Sequence, residues 1–372
     1  MACVLKPVPT VQPSGQRSCN MFKSILAPLA LISLIGVPAF AGDVYEMNMS
    51  SHQPTAHSYT WDMERDLAKL AKDTNEEIVI HFFSNASLIK QTEVVSAVQN
   101  ASAEFVLVRP QARTDLFPLL NVLCMPFVNT ASNEQSVRIT EEVLNMPLVK
   151  EEVAKATNNA HIIHIANPTY GCFATKGKPV TSLEDIRGKR WLVLNPNTAQ
   201  EVMALGGTPV QISIAETYVG FQRGMGDGIY MNLPALTSMK LTELVKAVTP
   251  IETMRQPLIL MSPKVVWDEL PADVQQKVEQ AIGGHEKSVE YTTGIDEMGR
   301  DALEECRKLG ITIAEFSPEV KDELRTIFIE KLTPIYAENI SQHTELSRQE
   351  AEDFIKSVYA ASERISHELE GK

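Results

Sequence analysis

An arginine side chain is well shaped to hold a carboxylate, because its planar fork donates two parallel, charge-assisted hydrogen bonds. Two arginines stand where such a fork can meet a small anion. Arg109 closes the apolar run Phe105–Val108, and Arg255 follows Thr253 and Met254 near a change of pattern. Each has a plain alternative as a surface arginine on a loop. Bond-making chemistry is a poor match: there is no G-x-S-x-G, no H-E-x-x-H, no P-loop and no Cys/His pairing at catalytic spacing. The run Gly224-x-Gly226-x-Gly228 follows a helix and precedes a strand, the reverse of the order a dinucleotide loop requires. His81, His161 and His164 sit in apolar strand patterns and are expected to be core or edge residues. Cys124, Cys172 and Cys306 fit neither a zinc set nor a C-x-x-C redox pair. Buried small hydrophobes or one disulfide of undetermined pairing are both open. No enzyme activity, cofactor or metal is therefore expected.

The elements that position these residues read as α/β. From Lys178 to Pro234 the order is strand, helix, strand, helix, strand. Thr181 and Glu184 form a capping-box pattern, Trp191–Asn195 a compact strand, Asn197 a cap for the next helix, and Ser213 with Glu216 a second box. Trp191 and Tyr218 are expected to be core. Upstream, Val44–Met49, Ile78–Phe83 and Phe105–Val108 alternate with amphipathic helices, which predicts βαβ units and a largely parallel sheet covered on both faces. His161–Ala166 is a further strand, broken at Asn167-Pro168. A return crossing is expected near Thr253–Pro257, followed by a strand at Leu258–Ser262, a long helical tract from Pro271, a short strand at Ile311–Ala314 and two terminal helices.

Three stretches in this order resemble one family: SLEDIRGKRWLV, then GGTPVQISIAETYVGFQRGMGDG with its E-x-Y and G-x-x-D-G marks, then VVWDELPADVQQKVEQA. They are similar to solute-binding proteins of tripartite ATP-independent periplasmic (TRAP) transporters, the C4-dicarboxylate-binding-like family. Weaker agreement runs from about Tyr45 to Ala281. The resemblance implies a two-domain periplasmic-binding-protein-like fold with mixed sheets, a ligand cleft between the domains and a long helix spanning both. Residues 42–168 plus about 257–296 would form domain I, and 169–256 plus about 297–372 domain II with the C-terminal helices. It also implies a periplasmic receptor that captures a small organic ligand by domain closure and delivers it to TRAP permease subunits. The alternative is an exported sensor or scaffold of the same fold that feeds a signalling receptor.

Carried over residue by residue, the family's clamp arginine in G-x-K-x-R-V falls on Leu192, and a second arginine of some members falls on Gly171. This departure puts the usual carboxylate in question. Arg109, at a position where relatives place a ligand-contacting polar residue, or Arg255 near the hinge would compensate. Otherwise the ligand is neutral, aromatic or cationic, facing Leu192, Ile214 and Met231 with the rings of Tyr170 and Tyr230. Asn232 lies one residue beyond the family's frequent asparagine, and Gln53 and Asn195 match positions that supply hydrogen bonds in some relatives.

Composition fits a soluble globular chain: of 372 residues, 44% are apolar and 22% charged, enough for two cores. The net charge of −13 argues against nucleic acid as a partner. Met21-Phe22-Lys23 followed by the apolar run Ile25–Phe40 and Ala39-Phe40-Ala41 reads as a cleaved secretory signal, with the mature chain beginning near Gly42. Residues 1–20 have no pattern, so Met21 is a possible true start.

Overall fold

The computed structural model describes residues 44–129 and 132–371; the leader, Met21, the expected cleavage site, Cys3 and Cys19 lie outside the described residues. In chain order, β1 (Tyr45–Ser50), α1 (Ser58–Asp73), β2 (Ile78–Phe83), α2 (Val94–Gln99), β3 (Phe105–Val108), α3 (Asn133–Asn145), α4 (Pro147–Thr157) and β4 (His161–Ala166) lead into β5 (Thr169–Thr175). There follow β6 (Arg190–Val193), α5 (Pro196–Ala204), β7 (Thr208–Gln211), α6 (Thr217–Gln222), β8 (Gly228–Met231), α7 (Leu233–Ser238) and β9 (Ala247–Arg255). The chain ends through β10 (Leu258–Ser262), α8 (Lys264–Glu269), α9 (Ala272–Ile282), α10 (Gly284–Lys308), β11 (Thr312–Ile313), α11 (Pro318–His343) and α12 (Arg348–Glu370).

The strands form two mixed sheets, ordered β2-β1-β3-β10-β4 and β11-β9-β5-β8-β6-β7. In the first, β1 pairs in parallel with β2 and β3, as βαβ units require, while β10 returns antiparallel between β3 and β4. The expected largely parallel sheet is thus split by the returning strand. The chain changes sheet at Asn167-Pro168 and again at Gln256-Pro257. Proline has no N–H for a ladder, so pairing stops there.

The long helix α10 makes a third passage. Its Ser288 and Thr292 hydroxyls accept from the Ile165 and Asn167 backbone N–H groups at 3.1 and 3.0 Å, which covers the edge strand β4. Farther along, Ala302 and Cys306 enter the core of the second sheet. The terminal helices also touch both regions, since α11 packs on α5 and α12 packs on α3.

Three apolar layers follow from strand alternation. Phe105 and Leu107 of β3 join Tyr59, Met63 and Tyr291 on one face of the first sheet. Leu192, Ile229 and Met231 join Phe221 and Ala302 on one face of the second. The opposite faces share a single layer, in which Val106 and Ile259 of the first sheet and Phe173 and Trp191 of the second are continuous with Phe328, Leu332 and Ile355 of the terminal helices. Trp191 is fully buried and donates its indole N–H to Ile186 at 3.1 Å. Tyr218 is only half-buried, and its hydroxyl reaches Glu243 at 2.8 Å, because α6 lies at the rim of its layer.

Two local expectations shift by a residue or two. The first capping box is made by Ser182 and Asp185, not Thr181 and Glu184. The cap of α5 is Asn195, not Asn197, because Pro196 takes the first helical position, where a missing N–H is harmless. Among the described cysteines, Cys124, Cys172 and Cys306 are all buried free thiols.

Candidate functional site

The carboxyl ends of β1 and β3 open toward the ends of β7 and β8, and a cleft of about 550 Å³ lies between them. Strand ends of this kind are where open α/β sheets hold ligands. A depression of about 650 Å³ beside α6 is lined only by second-sheet elements and has no opposing wall to close against it.

The first wall begins with His52 and Gln53 after β1 and His57 at the start of α1. His57 caps α1: its Nδ1 accepts the Tyr59 N–H at 3.3 Å. In the neutral ring the proton must then sit on Nε2, a donor. Burial pushes His57 down to about 4. His52 falls to about 3, first through burial and then through the neighbouring Arg109 charge. A long approach of the ring to the Leu107 backbone opposes that fall without reaching hydrogen-bond geometry, so neither His52 ring nitrogen is satisfied among the described residues. Arg109 follows β3 and donates from Nη2 to Gln256 Oε1 at 3.1 Å.

The second wall is formed by Gly171, Ile214 and Asn232 with Leu233, Ala235 and Ser238 of α7. Asn232 caps α7, its Oδ1 accepting the Ala235 N–H at 2.8 Å. Gly171 has φ +124°, and an added Cβ would lie 2.8 Å from the Ile251 carbonyl oxygen and 3.0 Å from the Tyr230 hydroxyl. An arginine cannot stand there without strain. Along the floor, α10 contributes Ile295, Asp296, Arg300 and Leu303.

Gln53, Arg109, Gly171, Ile214 and Asn232 therefore meet around one cleft, and Ile214 is 69% exposed. The other candidates do not line it. Leu192 and Met231 are fully buried in the second sheet's own layer, so neither forms a cleft wall. Tyr230 projects to the opposite face, stacks on Phe173 at 4.6 Å and donates its hydroxyl to Glu201 Oε2 at 2.5 Å. Burial holds the Glu201 carboxyl up at about 8 despite that bond. Asn195 is engaged as a cap, accepting the Thr198 N–H at 3.0 Å. Arg255 is a buried hub: it donates to the Asn167 carbonyl at 2.7 Å and to Asn133 and Asp296 at 2.9 Å each. It ties both chain crossings to α10 rather than facing the cleft. The backbone of Tyr170 lies in β5, but its side chain is outside those described.

Sequence reading missed His52, His57, Gln256 and the α10 floor. The signal for the histidines was the HQPTAH segment directly after β1, with one imidazole at each end. The strand-embedded histidines are structural as expected; His164, for example, is buried between the Tyr59 hydroxyl at 2.9 Å and the Ile282 carbonyl at 2.6 Å. Among the described residues no cluster of three or more His, Cys, Asp or Glu could hold a metal, and no helix is long and apolar enough to cross a membrane.

A family model described as bacterial extracellular solute-binding protein, family 7 (DctP), matches residues 49–342. Protein YiiZ of Salmonella typhimurium, itself uncharacterized, is 27% identical over 271 residues, covering 72% of this chain and 79% of that protein. The C4-dicarboxylate-binding periplasmic protein DctP of Rhodobacter capsulatus is 26% identical over 303 residues, covering 78% of this chain and 83% of its own length. The crystal structure of a TRAP solute-binding protein from Rhodoferax ferrireducens with copurified benzoate superposes with a TM-score of 0.72 at 14% identity, covering 87% of this chain and all of that one. The chain belongs to family 7 of the bacterial extracellular solute-binding proteins, and its fold is that of solved TRAP solute-binding proteins.

Proposed function

We propose that this receptor is exported with loss of its leader near Gly42, works in the periplasm, and holds a small organic anion in the cleft for unaltered transfer to TRAP permease subunits. One observation carries the ligand's sign. The cleft of an acidic protein presents Arg109 and Arg300, and its one acid among the described lining residues, Asp296, is ion-paired to Arg255 at 2.9 Å. Such contrast focuses field lines on the cleft and favours anion capture.

Residues 42–168 with about 257–296, and 169–256 with about 297–372, are the two bodies that close on the ligand in this reading. A solute that touches both walls stabilises the closed form by its differential contacts, which is all that closure requires. No covalent step is assigned to any residue of the cleft.

Native mass spectrometry of freshly purified mature protein is the direct test. A retained mass of small-molecule size is expected, released by partial unfolding and restored with a saturable rise in Tm. At a hundredfold excess over Kd the stabilisation is about 2.7 kcal/mol. A ligand-free spectrum together with no thermal shift across an organic-acid library would remove the proposal.

A further inference from the structure

The two walls of the cleft offer unequal chemistry. On the first wall, Arg109 is half-buried and oriented by Gln256, and the capping bond of His57 leaves its Nε2–H as a donor. His52 stands beside them with two unsatisfied ring nitrogens. On the second wall Ile214, Leu233 and Ala235 are apolar, and the Asn232 side-chain oxygen and the Ser238 hydroxyl among them serve α7, which leaves the Asn232 amide N–H groups as that wall's side-chain donors. Asn232 Oδ1 caps the helix and the Ser238 hydroxyl donates to the Ala235 carbonyl at 3.4 Å. The floor continues the division: Ile295 and Leu303 are apolar, Asp296 is neutralised by Arg255, and Arg300 is exposed with Glu297 3.5 Å away. An exposed, already paired arginine contributes little to holding a second acid group. Leu192, where the resemblance places the clamp arginine, lies behind the second wall in the apolar layer.

We infer that the cleft takes an organic monoanion with a compact apolar body, its acid group held by Arg109 and His57 on the first wall and its body covered by Ile214 and Leu233 on the second. This rests on the reading of the cleft as the solute site. The polar and apolar roles are then exchanged relative to a clamp whose arginine comes from the second sheet. A second acid group or a ring of hydroxyls would have to lie against Ile214 and Leu233 with few partners, and a buried polar group without a partner is costly.

The test is calorimetric titration of the mature protein, stripped of ligand by partial unfolding and refolding, with benzoate, isovalerate, succinate and benzyl alcohol, alongside native mass spectrometry of the unstripped protein. At least one of the two monoanions should bind tenfold or more tighter than succinate, and benzyl alcohol should give no measurable heat. Arg109→Gln should weaken that monoanion about a hundredfold, with Arg109→Lys intermediate. Ile214→Ser, at an exposed position where the fold is not at risk, should weaken it several-fold. Tighter binding of succinate, a retained dianion or polyol in the native spectrum, or monoanion affinity indifferent to both Arg109→Gln and Ile214→Ser would overturn the inference while leaving a solute-binding cleft. No retained mass and no heat from any of the four would bring down the cleft reading as well.

Discussion

Equivalent positions on the two sheets have been given opposite chemistry. Beyond the carboxyl ends of β1 and β3 stand His52, His57 and Arg109, whereas beyond β7 and β8 stand Ile214 and the α7 segment, whose Asn232 side-chain oxygen is engaged in capping. The difference shows that a strand end supplies a location but not a ligand preference. Preference depends on which polar groups the local backbone leaves available. The first wall carries an arginine and two imidazoles, and the second spends an amide oxygen and a hydroxyl on a six-residue helix.

The largest effect should come from reversing the contrast at its deepest point. Leu192→Arg places a cation where the side chain is fully buried among Ile229, Met231 and Phe221. Taking one ion out of water without a partner costs several kcal/mol on top of the overpacking of a fully buried site, so the variant should be insoluble or unfolded. A well-folded variant with gained affinity for succinate would mean that this position reaches the cleft, and the contrast between walls would collapse.

Next comes the hub that ties the two walls to α10. Arg255→Met removes the ion-pair partner of Asp296 and a donor to the Asn167 carbonyl in a buried site, where losing one partner of an ion pair costs about 3–5 kcal/mol. The loss should appear in the midpoint of unfolding. If instead stability is unchanged and solute affinity falls, Arg255 belongs to the cleft after all.

The smallest effect sharpens the comparison through pH. Glu201, behind the second sheet, is held at about 8 by burial, so the folded form keeps a proton that the unfolded chain releases above its ordinary 4.5. Its contribution to stability therefore declines as pH rises from about 4.5 to 8. His52, His57 and His164, on the first-sheet side, are held at about 3 to 4 and behave in the opposite sense: the unfolded chain takes up protons below about 6.5 that the folded form refuses. Stability on their account falls with acidification from 6.5 downward. Glu201→Gln should remove the decline between about pH 4.5 and 8, an amount on the order of a few kcal/mol, and leave the profile below about 4.5 unchanged, as read from Tm against pH. An unaltered decline would show that Glu201 is not the titrating group.

The strands were legible because short apolar runs such as Phe105–Val108 can bury both faces only in a covered sheet, while Ile78–Phe83, at the sheet edge, buries Ile78 and Ile80 on one face. Caps were legible to within a residue or two, since Ser182 and Thr181 offer the same hydroxyl and only the backbone decides which is used. The cleft lining was legible at strand ends, where Gln53 and Arg109 fall. Leu192, Tyr230 and Met231 are expected on the cleft but lie off it, because alternation separates the two faces of a strand without saying which face is covered. Histidines 52 and 57 were missed because a polar loop looks the same whether it meets water or a ligand, and α10's Asp296 and Arg300 because charges on a long helix usually face solvent.

The layer shared by the terminal helices behaves like the spine of a book. Phe173 and Trp191 from one leaf and Val106 and Ile259 from the other are bound into it together with Phe328 and Ile355. Neither leaf can be torn out alone, because each would expose half of a binding that the other needs.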